Sequence, residues 1–406
     1  SISKQSHQQS VMSSTKISLT DELTANIAVI GAGWWSQGWH LPHLSRNQNV
    51  NIVAIVDTSD QPKSNLNPHL QPLSDLAKTY SCPVFKSVRD MLDDPTIGAN
   101  VDGCIVCTPH ATHFQIGEEL LREGEKRGKP MNILMEKPMT TNVRQAHSLH
   151  NLATTLSDPK GCFLVNHSAN FRTQARTARE IVLSGKIGKI RHVTGFMASP
   201  LSWIFDDPSN VGWNEPDASG TMLGNGFAWG QSSHLLAWVY HVSGNTLCPK
   251  RVFCAMNHSE RTGADVSHAA TIICDDGITF SMSGTSLLPG NAHSDPPVGK
   301  SIRIKIFGTE GAIFYTGDDR DTQSGRLELR KECGGVEVHC RDLGFEFEDL
   351  DQEGIGPESL QSFIDACLGR KDYYVGADSS VGLKTIQTID AMYRSQVSGN
   401  AEDVMC

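Results

Sequence analysis

Residues 26–57 read NIAVIGAGWWSQGWHLPHLSRNQNVNIVAIVD. An apolar run containing Ile27, Val29 and Ile30 leads into Gly31-Ala32-Gly33, then a helical stretch, then a second apolar run, VNIVAIVD, that closes on Asp57. Strand, glycine turn, helix and a strand ending in an acid is the order of a dinucleotide-binding β-α-β unit. Gly31 permits the sharp turn, and Gly33 lets the backbone approach a pyrophosphate at the helix N-terminus. The third glycine of G-x-G-x-x-G falls at Ser36, which is small, and Gly38 nearby allows close packing. A lone G-x-G carries little information. Set between a strand and a helix, with Asp57 closing the next strand 24 residues after Gly33, it points to nucleotide binding. The Asp57 carboxylate suits the ribose hydroxyls and repels a 2′-phosphate. The following Thr58, Ser59 and Asp60 add no arginine, so NAD is preferred over NADP.

The alternation continues outward from this unit. LSDLAKTY reads as helix, PVF as a short strand, VRDMLDD as helix, VDGCIVCTP as strand, THFQIGEELLREGE as helix and MNILMEKP as strand. Strands alternating with helices make a doubly wound parallel sheet, whose ligands sit beyond the carboxyl ends of the strands. TPHATH (108–113) and EKP (136–138) both lie at such exits. The candidate cofactor contacts are therefore Gly31, Gly33, Trp35, Ser36 and Asp57 in the first unit, Thr108, Pro109 and His113 at one exit, and Glu136 with Lys137 at the other. An isolated E-K-P would be a strand stop with a surface ion pair. At this edge it delivers an ammonium to the nicotinamide region.

The 406 residues are too many for one ordinary core and imply two domains. A formal charge of −10 argues against nucleic acid or an anionic membrane as partner, and no apolar run approaches the ~18 residues that cross a bilayer. Residues 1–25 are polar and Ser-rich, lack the apolar segment of a secretory signal, and read as a loose tail. The eleven cysteines, an odd count without a framework spacing, read as reduced cytoplasmic thiols. Cys104 and Cys107 match C-x-x-C, but three positions apart on a strand they point to opposite faces. The histidines form no H-x-H or H-E-x-x-H pair, and no metal site is expected.

VIGAGWWSQG (29–38), VCTPHATHF (106–114), MEKPMTTNVRQAHSL (135–149), SGKIGKIRHV (184–193), IFGTEGAIFY (306–315) and GLKTIQTIDAMYRSQVSGN (382–400) together resemble the glucose-fructose oxidoreductase / inositol dehydrogenase / MocA family, from Asn26 to about Val404. The resemblance implies an N-terminal Rossmann domain (26–150) and a C-terminal α/β domain (151–406) built on an open, mostly antiparallel mixed sheet. It implies a bound NAD(P), a carbohydrate-like substrate, a secondary alcohol as the reacting group and a homodimer or homotetramer paired through sheet faces. It further implies that Lys137 contacts the nicotinamide ribose and the reacting oxygen, and that the Lys137-Pro138 bond is cis. In physical terms Lys137 supplies positive charge where alkoxide character develops.

In the second half, GCFLVNHSANFRTQAR (161–176) places Asn166 and Arg172 near the crevice, each as readily a structural hydrogen-bonder as a ligand contact. Trp203 and Trp213, in a Gly/Pro/Asn-rich stretch, offer flat faces for sugar C–H surfaces or pack in a core. A helix with Leu235, Leu236, Val239 and Val242 on its apolar face begins at Gln231. His234 in its first turn matches the histidine of the family's D-x-G-x-H, which here reads Gly230-Gln231-Ser232-Ser233-His234. The resemblance makes His234 the general base; Gln231, Arg172, Trp203 and Trp213 are read as candidate substrate contacts. The family aspartate has become Gly230. Gln231 could orient His234 but cannot take a proton, and Glu215 or Asp217 are possible replacements. That loss leaves two other readings open: an enzyme that holds NAD tightly for transient oxidation before elimination or epimerisation, and an NAD-binding regulator without chemistry.

Overall fold

Six short strands follow the first-half pattern: β1 (Ala25–Ile30), β2 (Val50–Val56), β3 (Val84–Phe85), β4 (Gly103–Val106), β5 (Asn132–Met135) and β6 (Phe163–Val165). In the computed structural model, which describes residues 23–156, 161–210, 225–291, 294–318, 324–340 and 356–405, they pair in parallel in the order β3-β2-β1-β4-β5-β6. β1, β4 and β5 are buried on both faces, which is why they read as continuous apolar runs instead of alternating ones. The strand order reverses direction between β1 and β4, and that switch point opens the ligand crevice of such sheets.

Nine further strands form a mixed, mostly antiparallel sheet: β7 (Ile190–Ala198), β8 (Pro249–His258), β9 (Asp265–Cys274), β10 (Thr279–Thr285), β11 (Ser301–Gly308), β12 (Gly311–Asp318), β13 (Arg326–Lys331), β14 (Val336–Cys340) and β15 (Glu402–Asp403). Their order is β14-β13-β12-β11-β7-β10-β9-β8-β15, with β7 and β10 the parallel pair. Here the sequence does alternate. Ile302, Ile304 and Ile306 of β11 are buried while Arg303 and Lys305 between them are exposed. The buried face packs against the helices Ser233–Val242 and Ser379–Ser398, with Trp238 stacked on Tyr315 at 5.0 Å between centroids. The opposite face carries no layer among the described residues.

Several details differ from the sequence pattern. β6, in the first sheet, lies beyond the expected division at residue 150. The helices Glu358–Cys367 and Ser379–Ser398 also return to that sheet: Cys367 and Phe363 lie over Gly103, and Gly382 meets Met139 and Val165. A parallel sheet needs cover on both faces, and the chain end supplies part of it. The helix expected from Gln231 is preceded by a π-helical turn, Ala228–Ser232. A second π-helical turn, Ser36–His40, follows the glycine turn. Arg394 donates to Asp390, Glu402 and the Asp403 carbonyl. The Lys137-Pro138 bond is cis, and Trp213, Glu215, Asp217 and residues 1–22 lie outside the described residues.

Gly31 has φ +96°, and a Cβ there would sit 2.3 Å from the Cys107 carbonyl oxygen, in the backbone of the neighbouring strand exit. Gly31→Ala is expected to lower unfolding free energy by on the order of 3 kcal/mol in urea titration, because neither the φ nor the contact can relax cheaply. Gly38→Ala, into open space, should leave the midpoint unchanged.

Candidate active site

Each central strand of the parallel sheet makes one further ladder bond past its end. Gly31 N donates to Val56 O (2.7 Å), Cys107 N to Ile30 O (2.8 Å), Glu136 N to Val106 O (2.9 Å) and Asn166 N to Met135 O (2.8 Å). These bonds align the residues that follow, so Asp57, Thr108, Glu136-Lys137 and Asn166-His167 share one carboxyl-end edge.

At the switch point lies the glycine cradle. A Cβ on Gly33 would meet nothing within 4 Å, so the backbone there faces open space, as close approach of a pyrophosphate requires. Ser36, in the third fingerprint position, is fully buried with its hydroxyl unpartnered. Asp57 Oδ2 accepts from Ala32 N and Oδ1 from Ser59 N, both at 2.8 Å. The carboxylate thus ties the glycine turn to the β2 exit, and each oxygen keeps a lone pair for a ribose hydroxyl. From the β3 exit Lys86 forms an ion pair with Asp60, a nearby cation that the linear sequence hides. These residues fit an adenine dinucleotide.

Glu136 is the hub of this edge. Its Oε1 accepts from Trp35 Nε1 (3.1 Å), His40 Nε2 (2.8 Å) and Asn166 Nδ2 (2.7 Å). Trp35 and His40 come from the segment after the glycine turn, Asn166 from the β6 exit. Trp35 also stacks on Trp39 at 5.2 Å between centroids. Burial pushes the Glu136 carboxyl up, but the bond and charge of His40, the Asn166 amide and the Lys137 ammonium outweigh it and hold it at about 2. Oε1, offered by the sequence as a cofactor contact, is committed to protein donors.

Lys137 turns the other way. Its Nζ donates to the Gly230 carbonyl at 2.8 Å, inside the π-helical turn Ala228–Ser232. That turn is held from below by Asp265 at the start of β9. Asp265 Oδ2 accepts from Ala228 N (2.8 Å) and Oδ1 from Tyr393 Oη (2.5 Å), and Gly226, at φ +90°, lies against the same carboxylate. His234, four residues past Gly230, is buried. Burial, then the positive charge of Lys137, then His167, Lys300 and Arg172, push its imidazole well below the ordinary histidine value. His167 packs edge-to-face on His234, centroids 5.3 Å apart and planes at 89°. Burial, then Lys137, bring the His167 ring down to about 3.

The structure thus brings together Lys137, His234, Arg172 and Gln231, whose buried Oε1 is unpartnered. It sets others apart. His113 is buried with Nδ1 2.7 Å from Pro138 O and Nε2 3.0 Å from Thr108 O, so it braces the β4 and β5 exits. Thr108 shares a 2.8 Å hydroxyl bond with Thr112, and Pro109 O accepts from Thr112 N. Trp203 is 49% exposed in the short helix Ser202–Phe205, outside any core. His167 and Asp265 were missed. The signal for the first was a polar Asn-His pair directly after an apolar strand, and for the second an acid opening a strand that alternates buried and exposed.

A glycine cradle and an acid at the β2 exit, with an ammonium at the β5 exit acting on a buried imidazole from the helix Ser233–Val242, define a dinucleotide-dependent oxidoreductase. Residues 25–161 match the model of the GFO/IDH/MocA oxidoreductase family, NAD-binding Rossmann fold, and residues 175–314 match that of the GFO/IDH/MocA C-terminal domain. The chain belongs to this family and is an NAD(P)-dependent oxidoreductase. It is 24% identical over 380 residues to D-xylose 1-dehydrogenase (NADP(+)) of Haloarcula marismortui, covering 91% of this chain and 90% of that one. It is 23% identical over 172 residues to inositol 2-dehydrogenase of Rhizobium meliloti, covering 42% and 44%. Levoglucosan dehydrogenase in complex with NADH has a similar fold, with a TM-score of 0.66 at 17% identity over 94% of this chain and 99% of that one.

Because the Glu136 pKa is about 2 in the folded protein against an ordinary value of 4.5, its ionised form stabilises the fold above pH ~4.5. That contribution, on the order of 3 kcal/mol, is lost as pH falls toward 2. Glu136→Gln is expected to lower stability at pH 7 and to flatten the acid limb of the stability–pH curve, read by urea unfolding at several pH values.

Proposed function

We propose that this enzyme is an NAD-dependent dehydrogenase acting on a secondary alcohol of a sugar, sugar derivative or cyclitol. The observation that carries the reading is the Lys137 ammonium, held by the Gly230 carbonyl at 2.8 Å, acting on a buried imidazole at His234. When bound, the nicotinamide supplies the hydride acceptor. A base must be unprotonated to act, and His234, with its pKa pushed below the ordinary value, is neutral at pH 7 and ready to accept the hydroxyl proton. Lys137 keeps its positive charge beside the oxygen as negative charge grows there. Arg172 and Gln231 offer further donors to the remaining hydroxyls. Asp57 supports NAD, since its carboxylate sits where a 2′-phosphate would be repelled. D-xylose and inositol, named in the relatives, are the first substrates to try.

The enzyme is further proposed to self-associate through the bare face of its nine-stranded sheet. Phe253 (49% exposed), Ile273 (43%) and Phe196 of three different strands lie there, with Arg303 and Lys305 beside them. Large apolar side chains clustered on an exposed sheet face favour association.

With NAD and NADP side by side over a panel of sugars, polyols and cyclitols, stoichiometric NADH release is expected with NAD. Reduction of enzyme-held cofactor without release would instead mark transient oxidation. Lys137→Ala and His234→Ala should each lower kcat/KM at least about 100-fold while binding NAD, read by quenching of the tryptophans at 34, 35 and 39. Absence of turnover by the wild type on the whole panel would refute the dehydrogenase reading. Light scattering after size exclusion is expected to give a dimer or tetramer, and Phe253→Glu a monomer; a wild-type monomer at micromolar concentration would refute the interface.

A further inference from the structure

Four charged or titratable groups act most strongly on His234. They are Lys137 at the β5 exit, His167 at the β6 exit, Arg172 ahead of the helix Thr173–Leu183, and Lys300 immediately before β11. Each is a cation or an imidazole. Yet a base that takes a proton in a dry site must have its ring plane set by something, since a freely turning imidazole points its nitrogens away from the reacting oxygen much of the time.

We infer that His167 is the positioning residue for His234, doing with a packed imidazole ring what a carboxylate commonly does for a catalytic histidine. This rests on the dehydrogenase reading above, in which His234 is the base. Three observations support it. The two rings meet edge-to-face at 5.3 Å between centroids and 89° between planes, so His167 fixes the plane in which His234 can lie. The His167 main chain is itself pinned: its N–H donates to Val165 O at 2.7 Å, its carbonyl accepts from Asn170 N at 2.9 Å, and the preceding Asn166 N–H donates to Met135 O. Finally, His167 Nδ1 is buried without a partner, so that nitrogen completes no structural hydrogen bond. A purely packing role would be filled at less cost by an apolar ring.

The electrostatic sense is opposite to that of a carboxylate. An aspartate against His234 would favour its charged form and raise its pKa. A neutral His167, itself kept uncharged by burial and by Lys137, does not, and leaves Lys137 to push the base toward neutrality. The site trades a more basic imidazole for one that stays unprotonated in mildly acidic solution.

The test compares wild type, His167→Gln and His167→Asp by the pH profile of kcat/KM and by nitrogen NMR of the imidazole rings, the His234 signals being assigned by their loss in His234→Gln. Circular dichroism and NAD binding by tryptophan quenching check the fold of each variant. In the wild type the His234 ring is expected to be neutral at pH 6. In His167→Asp its midpoint and the acid limb of kcat/KM should rise together by about one pH unit or more. In His167→Gln kcat should fall about tenfold or more while KM and NAD binding hold, since an amide offers no flat ring edge. Unchanged kcat and an unchanged His234 midpoint in a folded His167→Gln would overturn the inference. The ring titrations do not depend on turnover, so failure of the dehydrogenase reading and failure of the His167 role are read separately.

Discussion

The hydrogen bond from Lys137 Nζ to the Gly230 carbonyl, 2.8 Å long, is the contact on which this site depends. One partner leaves the carboxyl end of a parallel strand; the other belongs to a π-helical turn set over the mixed sheet. A carbonyl oxygen accepts from the ammonium without neutralising it, so the full positive charge remains available to an oxygen nearby. Had a carboxylate stood at residue 230, it would have offset that charge and acted on His234 from the other side.

Each partner of that bond is held by a buried carboxylate. On the Rossmann side, Glu136 gathers donors from the segment after the glycine turn and from the β6 exit, so the cradle, the lysine and Asn166 move as one body. On the other side, Asp265 holds the start of the π turn and is backed by Tyr393 from the long C-terminal helix. That helix also packs on the first sheet, through Gly382 against Met139 and Val165. The two halves of the crevice are therefore braced by one element, and the distance between lysine and imidazole is set by the core as much as by the loops.

Some roles assigned from spacing changed once side chains had directions. Glu136 and His113 sit at strand exits, as the sequence pattern placed them, but both turn inward: Glu136 Oε1 onto three donors, His113 between two carbonyls. Periodicity locates a strand end; it does not say which side of the edge a residue faces after the strand stops alternating. His167 was passed over for the converse reason. Three apolar residues and a polar pair give no period to read, and only the ring stacked on His234 marks His167.

The sequence by itself determined the parallel sheet, the glycine cradle, the acid at residue 57 and the lysine at the β5 exit. These follow from local rules, in which strand hydrophobicity, backbone freedom at Gly31 and the position of a charge at a strand end act within a few residues. Only the tertiary structure decided what faces what: that the partner of Lys137 is a backbone carbonyl 93 residues away, that His167 meets His234, and that the last helices cover the first sheet. Those contacts join residues with no shared period, and they exist because two sheets of different architecture must bury their faces against the same helices.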